Sequence, residues 1–474
     1  MNTLSKIPVT DNSAGSSDVK GRYNRLWRWH LLAGLYVIPF MLMLSLTGII
    51  MMLYKPVIEP LIYPELVRLQ SQESISEQQT MAAIGWQQQV DLVSQAYPDG
   101  VVRQLLIPSH NADPVRFLLK QNGANLEVFV DPYKGEILGA INKDNTLYAL
   151  ADNIHGTLLL GAFGDGLIEL SAGLTLILLA TGLMMWWARR KRQPGYLMKP
   201  ESGLKGRASW REWHTFSGFY LTVVLALFVV SGLSWTGIWG AKMVQAWNSF
   251  PAGVFSGIPV SDQNHASLNP GVEEQVPWNL ELTPLPESGS MAGEPGIPEG
   301  TLVNADSVIR YAMDNGMTRF RLNLPTKPEG VYIAIAATMS GDITDPLADR
   351  ALHLDQYTGK VLSDVGYDEY SLLAKAMAWG IPLHMGRWGN TNLIINLLLC
   401  LGIIGVSVAG FVMWWKRQPV NRRLSLGAPS SKGGPRAGLI WIPLLCGLFV
   451  PLLGVALLVF WMLTKAIRKG SEPA

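Results

Sequence analysis

Two stretches of this chain are written to one plan. Arg28 to Tyr36 reads RWHLLAGLY and Arg211 to Tyr220 reads REWHTFSGFY, and both contain Trp-His-x-x-x-Gly-x-Tyr. Each opens a long apolar run. Each run carries a second glycine the same distance beyond its histidine, Gly48 after His30 and Gly232 after His214. On a helix, residues four apart share a face, so Gly34 lies beside His30 and Gly218 beside His214. A histidine with a hydrogen-sized neighbour on its own face leaves room for something flat and bulky against the backbone. Haem answers that description.

The duplication extends beyond these helices. GLMMWWARRKRQP, from Gly182 to Pro194, returns as GFVMWWKRQP, from Gly410 to Pro419, and upstream of the two runs stand His155 in NIHG and His384 in PLHMG. Five segments are long and apolar enough to cross a hydrocarbon core of about 30 Å, which takes roughly 20 helical residues. The chain therefore divides into a polar tail, expected to be disordered, over 1–21; transmembrane helix 1 over 22–54; an outer module over 55–150; helix 2 over 151–188; a cytoplasmic loop over 189–211; and helix 3 over 212–240. A second outer module with a Pro- and Gly-rich linker covers 241–380, helix 4 covers 381–415, a second cytoplasmic loop covers 416–437, and helix 5 covers 438–464. The order is span, module, span, twice over, with one helix added.

A net charge of only +2 over 474 residues argues against a nucleic-acid partner and leaves the lipid bilayer as the main environment. The basic residues cluster instead. Arg22, Arg25 and Arg28, then Arg189 to Arg192, then Lys205, Arg207 and Arg211, then Lys416, Arg417, Arg422 and Arg423 flank the spans, which makes those loops and the N-terminus cytoplasmic by the positive-inside rule. Cys400 and Cys446 both fall within spans and read as small packing residues. Pro443 and Pro451 leave a re-entrant path open to the fifth helix.

Each outer insertion reads as a helix followed by strands. The last strands run through VDPYKGEIL and ALHLDQYTGKVL, where Asp131 with Gly135, and Asp355 with Gly359, have the chemistry of a tight turn. These small domains look like the PepSY domain, and the spans carrying WHxxxGxY, IHG or LHMG, and GxxMWW resemble the PepSY-associated transmembrane family over roughly residues 22–420. The resemblance implies an α-helical protein of the bacterial inner membrane. It has a four-helix core plus a fifth transmembrane helix, and two periplasmic α+β modules of PepSY type. Within the family the functional likeness is to iron-regulated inner-membrane proteins that reduce ferric siderophores with two haems. The implied partners are a ferric siderophore or another ferric chelate as acceptor and an external donor, a quinol or a cytoplasmic reductase.

The four histidines at span ends sort by depth. His30 and His214 stand at the cytoplasmic end, His155 and His384 at the outer end. Gly48 and Gly232 lie about 27 Å of helix beyond His30 and His214, at the outer level, and Gly182 and Gly410 lie at the inner level. Neutral imidazoles from facing helices are axial ligands for haem iron, so two haem b groups are expected, one at His30 and His214 and one at His155 and His384. His155 precedes Gly182 by about 40 Å of helix, more than the hydrocarbon thickness, which calls either for a break near 161–166 or for His155 to stand at the outer lip. His110, His265 and His353 read as solvated or structural, and Asp165 and Glu169 as carboxylates reaching for the membrane surface. With no dinucleotide-binding Gly-x-Gly-x-x-Gly, no phosphate-binding loop and no cysteine cluster, electrons must come from another molecule. The alternative is a non-enzymatic PepSY membrane protein that binds or regulates a partner, with histidines that only anchor helices.

Overall fold

A computed structural model describes residues 13–69, 83–192, 201, 203–245, 257–269, 271, 275–417 and 437–470. Most of the expected tail and loops, including Pro194, Pro419, Arg422 and Arg423, lie outside the described residues, as does part of the linker. Helix α1 spans Ser13–Leu53 and so begins within the stretch expected to be disordered. Helix α2 (Trp86–Ala96) and strands β1 (Gly100–Leu106), β2 (Val115–Gln121), β3 (Ala124–Asp131) and β4 (Glu136–Asn142) follow. Next come α3 (Leu147–Thr157), α4 (Ala162–Arg192) and α5 (Arg207–Gly232), then a two-stranded ribbon of Val260–Asn264 and Pro284–Pro286. The second half supplies α6 (Ala305–Asp314), β5 (Arg321–Asn323), β6 (Val331–Ala336), β7 (Arg350–Asp355) and β8 (Val361–Gly366). Helices α7 (Leu372–Met385), α8 (Asn390–Trp415), α9 (Ala437–Phe449) and α10 (Pro451–Gly470) complete it.

The chain forms two compact units, the first comprising residues up to Ser45, Leu160–Trp239 and those from Leu399 onward. Among the described residues, α1, α4, α5 and α8 are the four helices long and apolar enough to cross a membrane. Where a single fifth span is expected, two apolar helices stand, α9 and α10, whose apolar stretches Leu439–Phe449 and Pro451–Lys465 are shorter and meet at a bend at Val450. The bend is possible because glycine meets glycine. A Cβ on Gly447 would sit 2.8 Å from the Gly454 Cα. At 13 residues, α9 is below the roughly 20 a span requires.

The second and fourth spans are also shorter than expected at their starts. Leu158, Leu159 and Gly161 all have positive φ, at 54°, 60° and 58°, so α3 with His155 is a separate short helix and α4 starts afresh at Ala162. Gly386, at φ 73°, ends α7 in the same way just after His384. Glu169 does not reach the surface. It is fully buried and accepts from the amides of Ile238 and Trp239 at 3.3 and 3.1 Å, while Asp165 accepts from Gly237 N at 2.9 Å. The cause is the irregular chain after α5, whose amides have no helical carbonyl to meet and take carboxylates from one face of α4 instead.

In the second unit, Leu46–Leu159 with Gly240–Leu398, the two expected modules are one domain. Their strands form a single antiparallel sheet in the order β8-β7-β6-β5-β1-β2-β3-β4, joined where Gln104, Leu105 and Leu106 pair with Asn323, Leu322 and Arg321. One core serves both halves, with Leu105, Phe117, Leu119 and Val128 packed in the same cluster as Val308, Ile309, Phe320 and Leu352. The helices cap each other too: Asp306 of α6 accepts from Trp86 N of α2 at 2.6 Å, and Gln87 Oε1 of α2 accepts from Ala305 N at 3.2 Å. The repeated turns match closely. Asp131 and Asp355 each accept two backbone amides through Oδ1, and Gly135 and Gly359 both adopt φ 66°, a left-handed value suited to glycine.

Candidate functional site

In the helical unit, α1 and α5 bring His30 and His214 together. Their ring centroids are 6.1 Å apart and the ring planes are nearly perpendicular, at 87°. Gly182 of α4 stands against His30 and Gly410 of α8 against His214. At each glycine a Cβ would lie 3.3 Å from the imidazole Cε1, so the two copies repeat the contact atom for atom. That approach is closer than almost any side chain tolerates, and it explains why glycine occupies both positions. Gly34 and Gly218 line the same cavity, of about 480 Å³, with Leu31, Ile38, Leu178 and Thr222.

Hydrogen bonding assigns the tautomers. His214 Nδ1 lies 2.9 Å from the carbonyl oxygen of Val406, which can only accept, so Nδ1 carries the proton and Nε2 keeps a lone pair. His30 Nδ1 lies 3.0 Å from Thr181 Oγ1, and that hydroxyl already donates to Ile177 O at 2.7 Å. Thr181 therefore accepts from His30, and Nε2 of His30 is the unprotonated nitrogen as well. A metal-ligating imidazole is usually oriented in this manner by a partner on its other nitrogen. Two imidazoles bonded to one metal ion from opposite sides at about 2 Å each have ring centroids about 6 Å apart. The donor set and its spacing fit a bis-histidine haem. Among the described residues no three His, Cys, Asp or Glu side chains gather as an ion site, whereas haem iron asks the protein for only one or two ligands.

The other unit holds His155 and His384. His155 Nδ1 lies 2.8 Å from Thr47 Oγ1, and a Cβ on the next residue of α1, Gly48, would lie 3.7 Å from the His155 Cε1. Met52, one turn further on, packs against Gly386 at the end of the helix that carries His384, its Sδ 3.2 Å from where a Cβ would stand. One short stretch of α1 thus touches both histidine helices. The carbonyl of His384 accepts from Asn396 Nδ2 at 3.1 Å, and that of Leu383 accepts from Asn392 and Asn396 at 3.0 and 2.7 Å. Gly232, the last residue of α5, belongs to the first unit while His384 belongs to the second.

Sequence reasoning missed the groups that orient the rings, Thr181, Val406 and Thr47, and the two asparagines at the α7–α8 joint. Hydroxyls and amides inside an apolar run were the available signal. Of the remaining histidines, His110 is exposed. His265 and His353 are fully buried and face each other, Nε2 to Nε2 at 2.8 Å. Thr283 O lies 2.8 Å from His265 Nδ1 and Ser363 O lies 3.3 Å from His353 Nδ1, so the pair is an internal polar contact of the sheet domain.

Set against known families, residues 27–417 match the one described as the PepSY-associated TM region. No curated protein matches the sequence.

Proposed function

The chain belongs to the PepSY-associated TM family and is a membrane protein, and from that premise we propose that it moves electrons across the bilayer through two b-type haems to a ferric chelate, in the manner of a siderophore reductase. One observation carries this reading: His30 and His214 line one cavity with Nδ1 of each engaged and Nε2 left with its lone pair, and their ring centroids are 6.1 Å apart, the spacing of two axial ligands. Bound there, haem would supply reversible one-electron exchange. The protein's own part is to hold both imidazoles neutral and in one tautomer through Thr181 and Val406, and to keep the ring edges clear through Gly182 and Gly410. Leucine, isoleucine and glycine, Leu31, Leu178, Ile38, Gly34 and Gly218 among them, supply the apolar part of the wall against which the flat ring would lie.

His155, with Thr47 on its Nδ1 and Gly48 at its edge, repeats the donor chemistry and supports a second haem shared with His384. The basic clusters around the ends of the spans support a cytoplasmic N-terminus and an outer sheet domain. Electrons would then enter from a quinol or a cytoplasmic reductase near His30 and His214, and leave near His155 and His384. Each Fe(III) in the chelate takes one electron to become Fe(II), which binds hard oxygen ligands more weakly and is released.

The test is optical and then kinetic. Purified protein should show a Soret band, and an α-band on reduction, at about two haems per chain. It should pass electrons from a quinol analogue to a ferric siderophore. Colourless protein from cells with ample haem would overturn the reading.

A further inference from the structure

The mouth of the inner cavity is basic, and its charges are unevenly paired. Arg207, Arg211, His214 and Gly218 recur at the four- and three-residue spacing of one helix face, and all four line the cavity. The equivalent face of α1 carries Tyr23, Trp27, His30 and Gly34, so one copy presents cations where the other presents aromatic rings. Arg189 and Arg417 both lie seven residues beyond their glycines, Gly182 and Gly410, and both line the same mouth.

These arginines differ in partners. Arg189 and Arg211 share the buried carboxylate of Glu212, at 2.8 and 3.3 Å. Arg417 instead lies over the ring of Trp27, 4.0 Å from its centroid, and its Nη1 is shut off from solvent with no hydrogen-bond acceptor among the described residues. Neither Arg417 nor Arg207 has a carboxylate within ion-pair distance among the described residues. Both guanidiniums belong to residues that line this one cavity, and burial, then the charge of Arg207, hold the Arg417 guanidinium below its ordinary pKa.

Two unneutralised guanidiniums at the open edge of an apolar cavity that holds a pair of ligand-ready histidines call for an anion that belongs to the cavity's occupant. We propose that Arg207 and Arg417 receive the carboxylate edge of a porphyrin, so that the inner haem enters apolar edge first and its two propionates face the basic mouth. This rests on the haem reading above. Guanidinium and carboxylate form the short, forked, charge-assisted contacts that a lysine cannot reproduce. The apolar remainder of the ring then lies along Gly34, Gly218, Ile38 and Leu178, which offer no polar group to a carboxylate.

The experiment separates carboxylate recognition from iron ligation. Haem-free full-length protein in neutral detergent is titrated with protoporphyrin IX and with its dimethyl ester, neither of which contains iron, and binding is read by porphyrin fluorescence. Wild-type protein should prefer the free diacid by about tenfold or more over the ester. Arg207→Gln/Arg417→Gln should lose that preference, yet with added haem should still give the Soret band of bis-histidine ligation, at a lowered midpoint potential. Arg417→Lys should keep part of the preference, since charge remains without the fork. Equal binding of diacid and ester by the wild type, or a preference unchanged in the double variant, would overturn the proposal while leaving the haem reading intact. Failure of wild-type protein to bind haem itself would remove both.

Discussion

The carbonyl oxygen of Val406 lies 2.9 Å from Nδ1 of His214 and fixes which nitrogen of that ring carries the proton. The other copy reaches the same end with a side chain, the hydroxyl of Thr181, where the second repeat has Ala409. A backbone carbonyl cannot be mutated away, but a hydroxyl can. Thr181→Val should take away the hydroxyl acceptor of the His30 N–H and leave it only the Leu178 carbonyl, at about 0.5–1.5 kcal/mol, and weaken haem binding at this cavity by roughly tenfold or more. Thr181→Ser should restore it. Haem transfer to apomyoglobin, followed at the Soret band, measures both.

Pairing by depth is tested by four single substitutions. His30→Ala and His214→Ala should remove the same redox wave, and His155→Ala and His384→Ala the other. Haem content falls by about one per chain in each. If His30→Ala and His155→Ala erased one wave in common, the assignment of ligands to haems would be wrong.

The glycines separate by distance. A Cβ at Gly182 or Gly410 meets an imidazole edge at 3.3 Å, whereas at Gly34 and Gly218 the nearest atoms, Leu178 Cδ2 and Val406 Cγ2, stand at an ordinary 3.7 Å. Gly182→Ala and Gly410→Ala should therefore tilt the ligand and change the reduced α-band. Gly34→Ala and Gly218→Ala should be near neutral, and only Gly34→Leu or Gly218→Leu, which fill the cavity, should expel the haem. Equal effects of alanine at all four positions would argue that these glycines serve helix packing alone.

The sheet domain should be insensitive to mild acid through cancellation. Burial holds His265 at about 4, and burial with His265 nearby holds His353 at about 3, both below the ordinary 6.5. Those depressed values make acidification destabilising from 6.5 downward, because the unfolded chain binds protons that the folded domain refuses. Burial raises Glu281 and Asp349 to about 7 from 4.5 and 3.8, which has the opposite sign over much the same range. Protection factors of the sheet amides, with the intrinsic pH dependence of exchange divided out, should vary little between pH 5 and 6.5 in the wild type. His265→Gln/His353→Gln should be more protected at pH 5 than at pH 6.5, and Asp349→Asn less. The slope is at most about 1.4 kcal/mol per pH unit for each group removed.

The duplicated pattern made the four long helices and the facing of glycine to histidine legible, because a repeat in sequence fixes equal spacing along equal helices. Hydropathy alone could not reveal direction. The run from Leu439 to Leu463 is apolar throughout, yet Gly447 and Gly454 let it fold back at Val450, since close backbone approach depends on two missing side chains rather than on mean apolarity. Likewise each module's strands were readable, but the pairing of Gln104 with Asn323 joins edges far apart in the chain and leaves no local signal. His265 and His353 read as solvated or structural for the same reason: nothing near either residue announces the other.

Because β1 and β5 are hydrogen-bonded partners and α2 and α6 cap one another, neither half can be detached without baring a strand edge and two helix ends. The molecule is in effect a dimer whose subunits have been tied into one polypeptide. In a dimer of identical chains every substitution appears twice, so a cation on one side of the cavity would force a cation on the other. Covalent fusion lifts that restriction. It lets Arg207 and Arg211 face Tyr23 and Trp27 across one cavity, and lets Thr181 stand where its counterpart is Ala409. A ligand held between such halves has a front and a back, which two identical halves could not give it.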